Sequence, residues 1–332
     1  MQRLTRIGVS TTRIGASGAR KLSSGPSGSL IADPLRPERI AKSQSNSLFP
    51  TPRFVSFDLW DTLYTPKKPI PEQYYLISHG EFGLDKLLES IQREFPTVYA
   101  DMLAKYPNYG KLTTDITSCD QWWLELIVKL YGLPHYSTDS TSRALCERLL
   151  THFSSSEAYE LYDDAITVLQ TLHNNNVAII AATNSDDRVY AIMESLGIDK
   201  YFSAVYLSYD LGYSKPDRRF YNHIYKQRFL LAKRADPLLD TASYLENVWH
   251  IGDHYEKDFV GAIKSGWNGI LLDRRKQSVF MQANTIKPIS NDCFEGQSCN
   301  TLEGDDMVMI ANNRVCVSGL RPLIRLFGMG ED

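Results

Sequence analysis

Residues 54–64 read FVSFDLWDTLY, a short apolar run followed by Asp58 and Asp61, with Trp60 between the two acids. The run has the length and the composition of a buried β-strand. A carboxylate directly after such a strand lies either in an ordinary turn or in a pocket where it reacts. Which of the two applies depends on what the rest of the chain brings to the same place.

Further short apolar runs occur in the second half of the chain, with amphipathic stretches between them. The apolar runs are VAIIAAT (177–183), AVYLS (204–208), VWHIGD (248–253) and GILLD (269–273). Helical periodicity is found at 187–196, 217–230 and 256–265. Strands that alternate with helices indicate a parallel sheet with helices on both faces, so the sequence predicts a doubly wound α/β fold.

Residues 66–160 interrupt this alternation with a different pattern. Stretches such as LDKLLESIQREF and CDQWWLELIVKLYG have helical periodicity, and little in the segment is typical of strands. A gap of this size between neighbouring strands predicts an inserted all-α domain. We therefore expect a helical cap at 66–160 and a core formed by 51–65 and 161–330. Within the core, 276–313 is expected to be irregular, and 315–328 to be a strand or turn followed by a helix.

The composition excludes several classes of protein. The chain of 332 residues is 43% hydrophobic and 23% charged, which is typical of a globular protein. No apolar run approaches the roughly eighteen residues of a membrane-spanning helix, so no transmembrane segment is expected. The five cysteines are scattered and form no CxxC pair, so neither a disulfide framework nor a zinc site is indicated.

The first thirty residues differ from the rest of the chain. They contain five arginines and lysines, many Ser, Thr and Gly, and no acidic residue. This pattern is typical of a mitochondrial transit peptide, and we expect residues 1–50 to be a transit peptide and linker of a mitochondrial, matrix protein. Without those five charges the chain carries 31 basic and 39 acidic residues. The rest of the chain is therefore acidic overall and poorly suited to binding DNA or RNA through phosphate contacts.

Polar side chains follow the predicted strands where ligands of open parallel sheets bind, at the carboxyl ends. The residues expected on this rim are Asp58, Thr183, Asn184, Lys215, Asp253 and Asp258. The three acids would repel one another, with Lys215 as their only cationic partner. A divalent cation resolves that conflict, and Mg²⁺ typically binds one or two carboxylates together with substrate phosphate. The set therefore suggests phosphoryl transfer with an aspartate nucleophile.

The ordered set FDLWDTLY, AATNSDD, GYSKPDRRFY and IGDHYEKDFVGAIKSGW resembles the four sequence motifs of the haloacid dehalogenase superfamily. The resemblance covers about residues 53–275 and is strongest to the haloacid-dehalogenase-like hydrolase domain-containing proteins, including fungal mitochondrial members. It implies a Rossmann-like core, an all-α cap inserted after the first motif, and Mg²⁺-dependent hydrolysis of a small phosphorylated metabolite through an aspartyl-phosphate intermediate.

Carried over position by position, the resemblance makes Asp58 the nucleophile. Thr183 would hold the phosphoryl group through its hydroxyl, with Asn184 beside it in the phosphate-binding loop. Lys215 would stabilise the nucleophile and the developing negative charge.

The same resemblance implies a metal site at the rim. Asp253 would bind Mg²⁺ together with Asp58 and the backbone carbonyl of Trp60. Asp258 would support this set of ligands.

Trp60 departs from the family pattern, because phosphatases of the superfamily normally carry a second Asp at this place. That Asp protonates the leaving group and later activates water, whereas an indole N–H cannot shuttle a proton. Asp61 lies one residue further on and is expected to brace the turn. General acid–base catalysis contributes about 10²–10⁴-fold, so the sequence predicts a slow phosphatase that favours aryl or acyl phosphates.

Two alternatives remain open from the sequence. The first is a catalytically weak or inactive member that has kept the fold as an interaction protein in mitochondria. The second is a metal-independent dehalogenase-type hydrolase, because a halide also leaves without a proton. The acidic pattern of Asp253 and Asp258 favours the metal-dependent branch.

Overall fold

The computed structural model describes residues 38–39, 49–282, 307–311 and 313–329. Most of the predicted transit peptide and linker, residues 1–37 and 40–48, lies outside the described residues, as does most of the polar segment 276–313. Within the predicted linker, Glu38–Arg39 form a short strand. Mitochondrial targeting therefore stays a prediction.

An eight-stranded sheet forms the centre of the molecule, and two further strands form a separate ribbon. The strands are β1 Glu38–Arg39, β2 Phe54–Phe57, β3 Tyr64–Pro66, β4 Tyr159–Leu161, β5 Ala178–Thr183, β6 Ala204–Leu207, β7 Val248–Gly252, β8 Asn268–Leu272, β9 Met307–Ala311 and β10 Arg314–Val317. The order across the large sheet is β1-β9-β10-β8-β7-β2-β5-β6, and β3 pairs with β4 in the ribbon.

The sheet is mostly parallel, as predicted. The strands from β10 to β6 in this order are parallel neighbours, and β9 adds an antiparallel edge by pairing with β10 and β1. The expectation that 276–313 is wholly irregular is wrong at a short helix, Val279–Gln282, and at β9, where residues 307–310 are buried and the strand pairs with β10. Polar residues flank that run in the sequence, which obscured a strand of only five residues.

Helices cover both faces of the sheet. They are α1 Ile70–Gly80, α2 Leu88–Lys105, α3 Cys119–Tyr131, α4 Ser140–His152, α5 Ala165–Asn174, α6 Arg188–Ser195, α7 Ser208–Leu211, α8 Arg218–Ala235, α9 Thr241–Leu245, α10 Gly261–Lys264, α11 Val279–Gln282 and α12 Pro322–Leu326. A 3₁₀ turn lies at Asp199–Tyr201 and a π-helical turn at Tyr255–Val260. The doubly wound α/β architecture is therefore confirmed.

Successive residues of the central strands pack into different cores. On β2, Val55 and Phe57 share a core with α5, α6 and α12, whereas Phe54 packs with α8 and α9. Strand β5 alternates in the same way. Because both faces of the sheet are buried, apolar residues point to both sides of these strands. Apolar and polar residues therefore do not alternate in FVSF and AIIAAT.

Along the chain, four helices, α1 to α4, separate the two strands of the ribbon. The Ser118 side chain caps α3 by accepting a hydrogen bond from the Gln121 N–H, and Gly132 ends that helix at φ 62°. The Asp139 side chain caps α4 in the same manner. The helical character predicted for 66–160 thus has its local cause in caps and amphipathic faces, and the ribbon spans both predicted junctions of this segment.

The strand order places a crevice beside β2. The chain passes from β2 to β5 and β6 on one side, and then returns to β7 on the other side. In open α/β sheets the crevice at such a switch point, outside the carboxyl ends of the strands, is where ligands bind. Asp58 directly follows β2 and Asp253 directly follows β7, so both acids lie at this point.

None of the helices that the structure describes combines the length and the apolar character that a bilayer crossing requires.

Gly252, the last residue of β7, lies against the π-helical turn that follows it. A β-carbon at this position would overlap with the carboxyl group of Asp258. We predict that Gly252→Ala lowers the free energy of unfolding by about 1–3 kcal/mol, measured by urea denaturation, because the turn must shift to admit the methyl group.

Gly80→Ala is the matched control for this prediction. Gly80 ends α1, and a β-carbon there meets no atom within 4 Å. The substitution should leave the stability almost unchanged. Equal stability of the two variants would contradict the close approach of β7 and the turn.

Candidate functional site

A buried lysine joins two buried carboxylates at the rim of the sheet. Lys215 Nζ lies 2.8 Å from Asp58 Oδ1 and 2.6 Å from Asp258 Oδ1, and all three side chains are at least 88% buried. Asp58 is held in place from its backbone, because its N–H donates to the Ile251 carbonyl of β7 at 2.8 Å. The convergence predicted for these three residues is present in the structure.

Asp253 completes a group of three acids. Ligand oxygens of Asp58, Asp253 and Asp258 all lie within 4.8 Å of one another. Asp258 is the most fully engaged, because Oδ1 accepts from Lys215 and contacts His250 while Oδ2 accepts from the His254 N–H at 3.0 Å. That arrangement fits the supporting role predicted for Asp258.

The pKa values of the three acids reflect their burial and the excess of negative charge in the cluster. Burial, together with the charges of Asp58, Asp258 and Asp61, raises the pKa of Asp253 to about 7. Burial also raises the pKa of Asp58, although Lys215 opposes the shift. For Asp258, burial is outweighed by Lys215 and His250, which hold its pKa below the usual range. One lysine therefore neutralises only part of the cluster.

A buried polar chain supports the cluster from below. Ser56 Oγ lies 2.9 Å from His250 Nδ1, and His250 Nε2 lies 3.1 Å from Asp258 Oδ1. Ser56 and His250 face each other in the register of β2 and β7. Burial lowers the pKa of His250, so the neutral imidazole connects the sheet to Asp258. The sequence analysis missed this chain, although one polar residue within each of FVSF and VWHIG was a signal for it.

Thr183 and Asn184 lie at the end of β5 beside this cluster. Thr183 is buried and lines the same chamber as Asp58. The Asn184 amide forms two bonds with the backbone of Lys215, accepting from its N–H at 2.8 Å and donating to its carbonyl at 2.9 Å. Asn184 thus fixes the loop that carries the lysine, and its contact with phosphate stays a prediction.

The start of α8 corrects one detail of the sequence analysis. Helical periodicity was expected from residue 217, but the helix begins at Arg218. Asp217 precedes it as the cap and accepts a hydrogen bond from the Arg219 N–H at 2.8 Å. An aspartate side chain is a strong helix cap, so Asp217 sets the start of the helix after Pro216.

The loop after β2 shows how Trp60 and Asp61 are arranged. Trp60 is 38% exposed, and its ring packs edge-on against Tyr159 at 5.5 Å. Asp61 has a φ of 53°, its N–H donates to the Tyr64 carbonyl, and its Oδ1 accepts from Thr65 Oγ1 at 2.8 Å. Asp61 therefore braces the turn, as expected, while it also lines the chamber.

The chamber above the acids has a volume of about 460 Å³. The rim residues form its floor, and the walls come mainly from the inserted helices and the ribbon. Of the two tryptophans of α3, Trp122 is a core residue, whereas Trp123 lines the chamber and donates to Asp186 Oδ2 at 2.7 Å. Arg188 stacks on Trp123 at 4.1 Å and pairs with Asp186 at 2.9 Å. The SDDR stretch after Asn184 was the available sequence signal for this pair.

Replacing Lys215 by Met should remove the counter-charge of two buried acids. We predict a loss of about 3–5 kcal/mol in the free energy of unfolding in metal-free buffer, because Asp58 and Asp258 would be left uncompensated. Adding Asp258→Asn should recover part of that loss. The double variant should therefore lose less free energy of unfolding than the two single variants lose in sum.

The control for this prediction is Lys68→Met, which breaks the exposed pair with Glu72. An exposed pair of this kind contributes little to stability, so its loss should be a small fraction of that at Lys215. Similar losses at the two lysines would contradict the buried ion-pair network.

Comparison with known proteins identifies the family of this chain. A model of the haloacid dehalogenase-like hydrolase family matches residues 52–266. The protein YMR130W of Saccharomyces cerevisiae is 30% identical over 294 residues, which is 83% of this chain and 93% of that one. Haloacid dehalogenase-like hydrolase domain-containing protein 3 of Bos taurus is 26% identical over 220 residues, or 66% of this chain and 81% of the relative.

Solved structures share the fold. The HAD-hydrolase YfnB of Bacillus subtilis, solved with magnesium bound, superposes with a TM-score of 0.52 at 15% identity. The superposition covers 83% of this chain and 99% of that one. The family match spans well over half of the chain and contains all of the rim residues, so the protein belongs to the haloacid dehalogenase-like hydrolase family.

Proposed function

We propose that the protein is a Mg²⁺-dependent hydrolase that acts on a small phosphorylated metabolite through an aspartyl-phosphate on Asp58. The observation that carries this proposal is the position of Lys215, whose ammonium contacts Asp58 while Asp253 lies within reach of the same point. A nucleophilic carboxylate, a fixed cation and a second carboxylate on one rim are the components that phosphoryl transfer requires.

The residues fit a magnesium ion. Mg²⁺ prefers hard oxygen ligands and is typically held by one or two carboxylates together with substrate oxygens and water. Asp58 and Asp253 would supply the carboxylates and Trp60 its backbone carbonyl, with Asp258 as support. Burial, followed by the charges of the neighbouring acids, raises the pKa of Asp253. The site therefore holds negative charge that Lys215 alone does not balance. When bound, the ion would neutralise charge on the phosphoryl oxygens and on the attacking carboxylate.

The chain's own residues account for the remaining chemistry. A carboxylate oxygen of Asp58 forms a bond to phosphorus while the bond from phosphorus to the leaving oxygen breaks. Lys215 and the Thr183 hydroxyl donate to the phosphoryl oxygens and hold the group in line with the nucleophile. Water then cleaves the aspartyl-phosphate, which releases inorganic phosphate and restores the Asp58 carboxylate.

Trp60 limits the range of good substrates. Its indole cannot give a proton to the leaving oxygen, and Asp61 is held by its bond to Thr65. Alkoxides, which need that proton, should therefore leave slowly. Phosphates whose leaving group is stable as an anion avoid the deficit, because they depart without a proton.

The two alternatives make different demands on the site. A metal-independent dehalogenase must bind an anionic haloacid without the help of a metal ion. A site with three acids and one lysine disfavours the binding of such an anion. An interaction protein would need the ion pairs of Lys215 for stability but would gain nothing from Asp253, which brings a third acid to the same place. We therefore rank metal-dependent phosphate hydrolysis first, the interaction protein second and dehalogenation third.

Asp58→Asn tests the proposal directly. With Mg²⁺ present, we expect the wild type to hydrolyse acetyl phosphate or p-nitrophenyl phosphate, measured by release of inorganic phosphate. The variant should lose at least 10³-fold in kcat because the neutral amide is not a nucleophile. Excess EDTA should suppress the wild-type rate.

Asp61→Asn is the matched control, since it makes the same chemical change three residues further along the same loop. It should keep most of the activity, because Asn tolerates positive φ and can still bond to Thr65. Equal rates for the wild type and Asp58→Asn would refute the proposal.

A further inference from the structure

We propose that the substrate is a phosphomonoester of a phenol, with the aromatic ring in the chamber above Asp58. This inference rests on the proposed function and specifies its substrate class. Four features of the chamber lead to it: the composition of its walls, the available hydroxyls in them, the charge balance at Arg188, and the residue at position 60.

Aromatic side chains dominate the walls of the chamber. They make up nine of its 23 lining residues, although only 11% of the whole chain is aromatic. These nine are Trp60, Tyr64, Tyr74, Phe95, Tyr99, Tyr109, Trp123, Phe153 and Tyr159. Such an enrichment over the site of reaction favours a planar apolar ligand, which can pack face-to-face or edge-to-face with the rings.

Three of these tyrosines are buried but carry unused hydroxyl groups. Tyr64, Tyr74 and Tyr159 are at least 96% buried and line the chamber. Within the described part of the chain, their hydroxyl groups make no hydrogen bond. Burial raises the pKa of Tyr159 to about 12, so this hydroxyl stays neutral and can donate. Because these residues line the chamber, the three hydroxyls are available to polar substituents on a ligand.

The charge balance of one part of the chamber wall gives little attraction for a second strongly anionic group. The cation there is Arg188, and Asp186 binds it through both carboxylate oxygens, with Nε at 3.0 Å and Nη2 at 2.9 Å. Trp123 covers the guanidinium face and also donates to Asp186. The pair is close to neutral overall, so this part of the wall suits an uncharged ring with a hydrogen-bond acceptor.

Tyr64 lines the same chamber as Asp58 and Asp186. Its ring packs against those of Trp60 at 6.4 Å and Tyr159 at 5.4 Å, so three aromatic rings form one continuous part of the wall. We expect the leaving group of a phosphoryl ester at Asp58 to pack against this part of the wall. A volume of about 460 Å³ accommodates one or two aromatic rings.

The leaving-group chemistry selects phenols over sugars. A phenolate is stable enough to depart without a proton, whereas a sugar alkoxide needs the acid that Trp60 does not provide. In the proposed step the bond from phosphorus to the phenolic oxygen breaks as the bond to Asp58 forms. The electron pair leaves with the phenolate, which later takes a proton from water.

Binding of non-hydrolysable phosphonates tests the inference without relying on turnover. With Mg²⁺ present, calorimetry should find that phenylphosphonate binds the full-length protein at least tenfold more tightly than methylphosphonate. It should also bind more tightly than cyclohexylphosphonate, which has a similar size but no planar ring. Equal affinities for the phenyl and methyl compounds would overturn the inference.

Two matched variants locate the preference. Tyr159→Leu keeps the approximate volume but removes a ring and a hydroxyl from the chamber, so it should reduce the ratio of phenyl to methyl affinity at least fivefold. Tyr225→Leu removes a tyrosine of α8 that bonds to Thr241 outside the chamber, so it should leave the ratio unchanged. An equal effect of both variants, or none from Tyr159→Leu, would overturn the inference.

Hydrolysis rates distinguish failure of this inference from failure of the proposed function. The inference predicts a higher kcat/KM for phenyl phosphate than for glucose 6-phosphate by at least tenfold. Mg²⁺-dependent cleavage of acetyl phosphate without any aromatic preference would overturn the substrate class and leave the proposed function standing. Absence of both phosphate hydrolysis and phosphonate binding would overturn both.

Discussion

The contact of one buried lysine with two buried aspartates determines how the rest of this molecule is organised. Lys215 can remain charged at its site only because Asp258 and Asp58 offset the cost of its burial and raise its pKa. The acids in turn require the lysine, since removing one partner of a buried ion pair leaves an uncompensated charge. Strand ends, the Asn184 loop and the His250 chain all serve to hold these three groups together.

The fold supplies this contact through its strand order, and the inserted helices add selectivity. Parallel strands on either side of β2 bring their carboxyl ends together, so residues almost two hundred positions apart meet at one rim. The insert contributes few charges to the site but most of its aromatic walls. The charged groups of the candidate site thus come from the core, and the shape of the chamber comes mainly from the helices and the ribbon.

The sequence predicted the parts of the structure that depend on strand ends and local motifs. Asp58 and Asp253 follow apolar runs, Thr183 ends one, and parallel strands leave such residues on one rim. Lys215 was placed there because it comes just before a predicted helix. The antiparallel strand β9 was missed because polar residues flank a run of only five. The packing of Trp123 on Arg188 and the place of Tyr159 in the chamber wall could not be foreseen. Both depend on how segments that are distant in sequence pack over the sheet, which no local pattern specifies.

The central claim is that Asp58 and Asp253 share a divalent cation. Calorimetric titration of the metal-free protein with Mg²⁺ tests it most directly, with Asp253→Asn as the variant and Glu256→Gln as a control at an exposed acid nearby. The account predicts one binding site, at least tenfold weaker in Asp253→Asn and unchanged in Glu256→Gln. Equal affinity in the wild type and Asp253→Asn, or no binding to either, would contradict it.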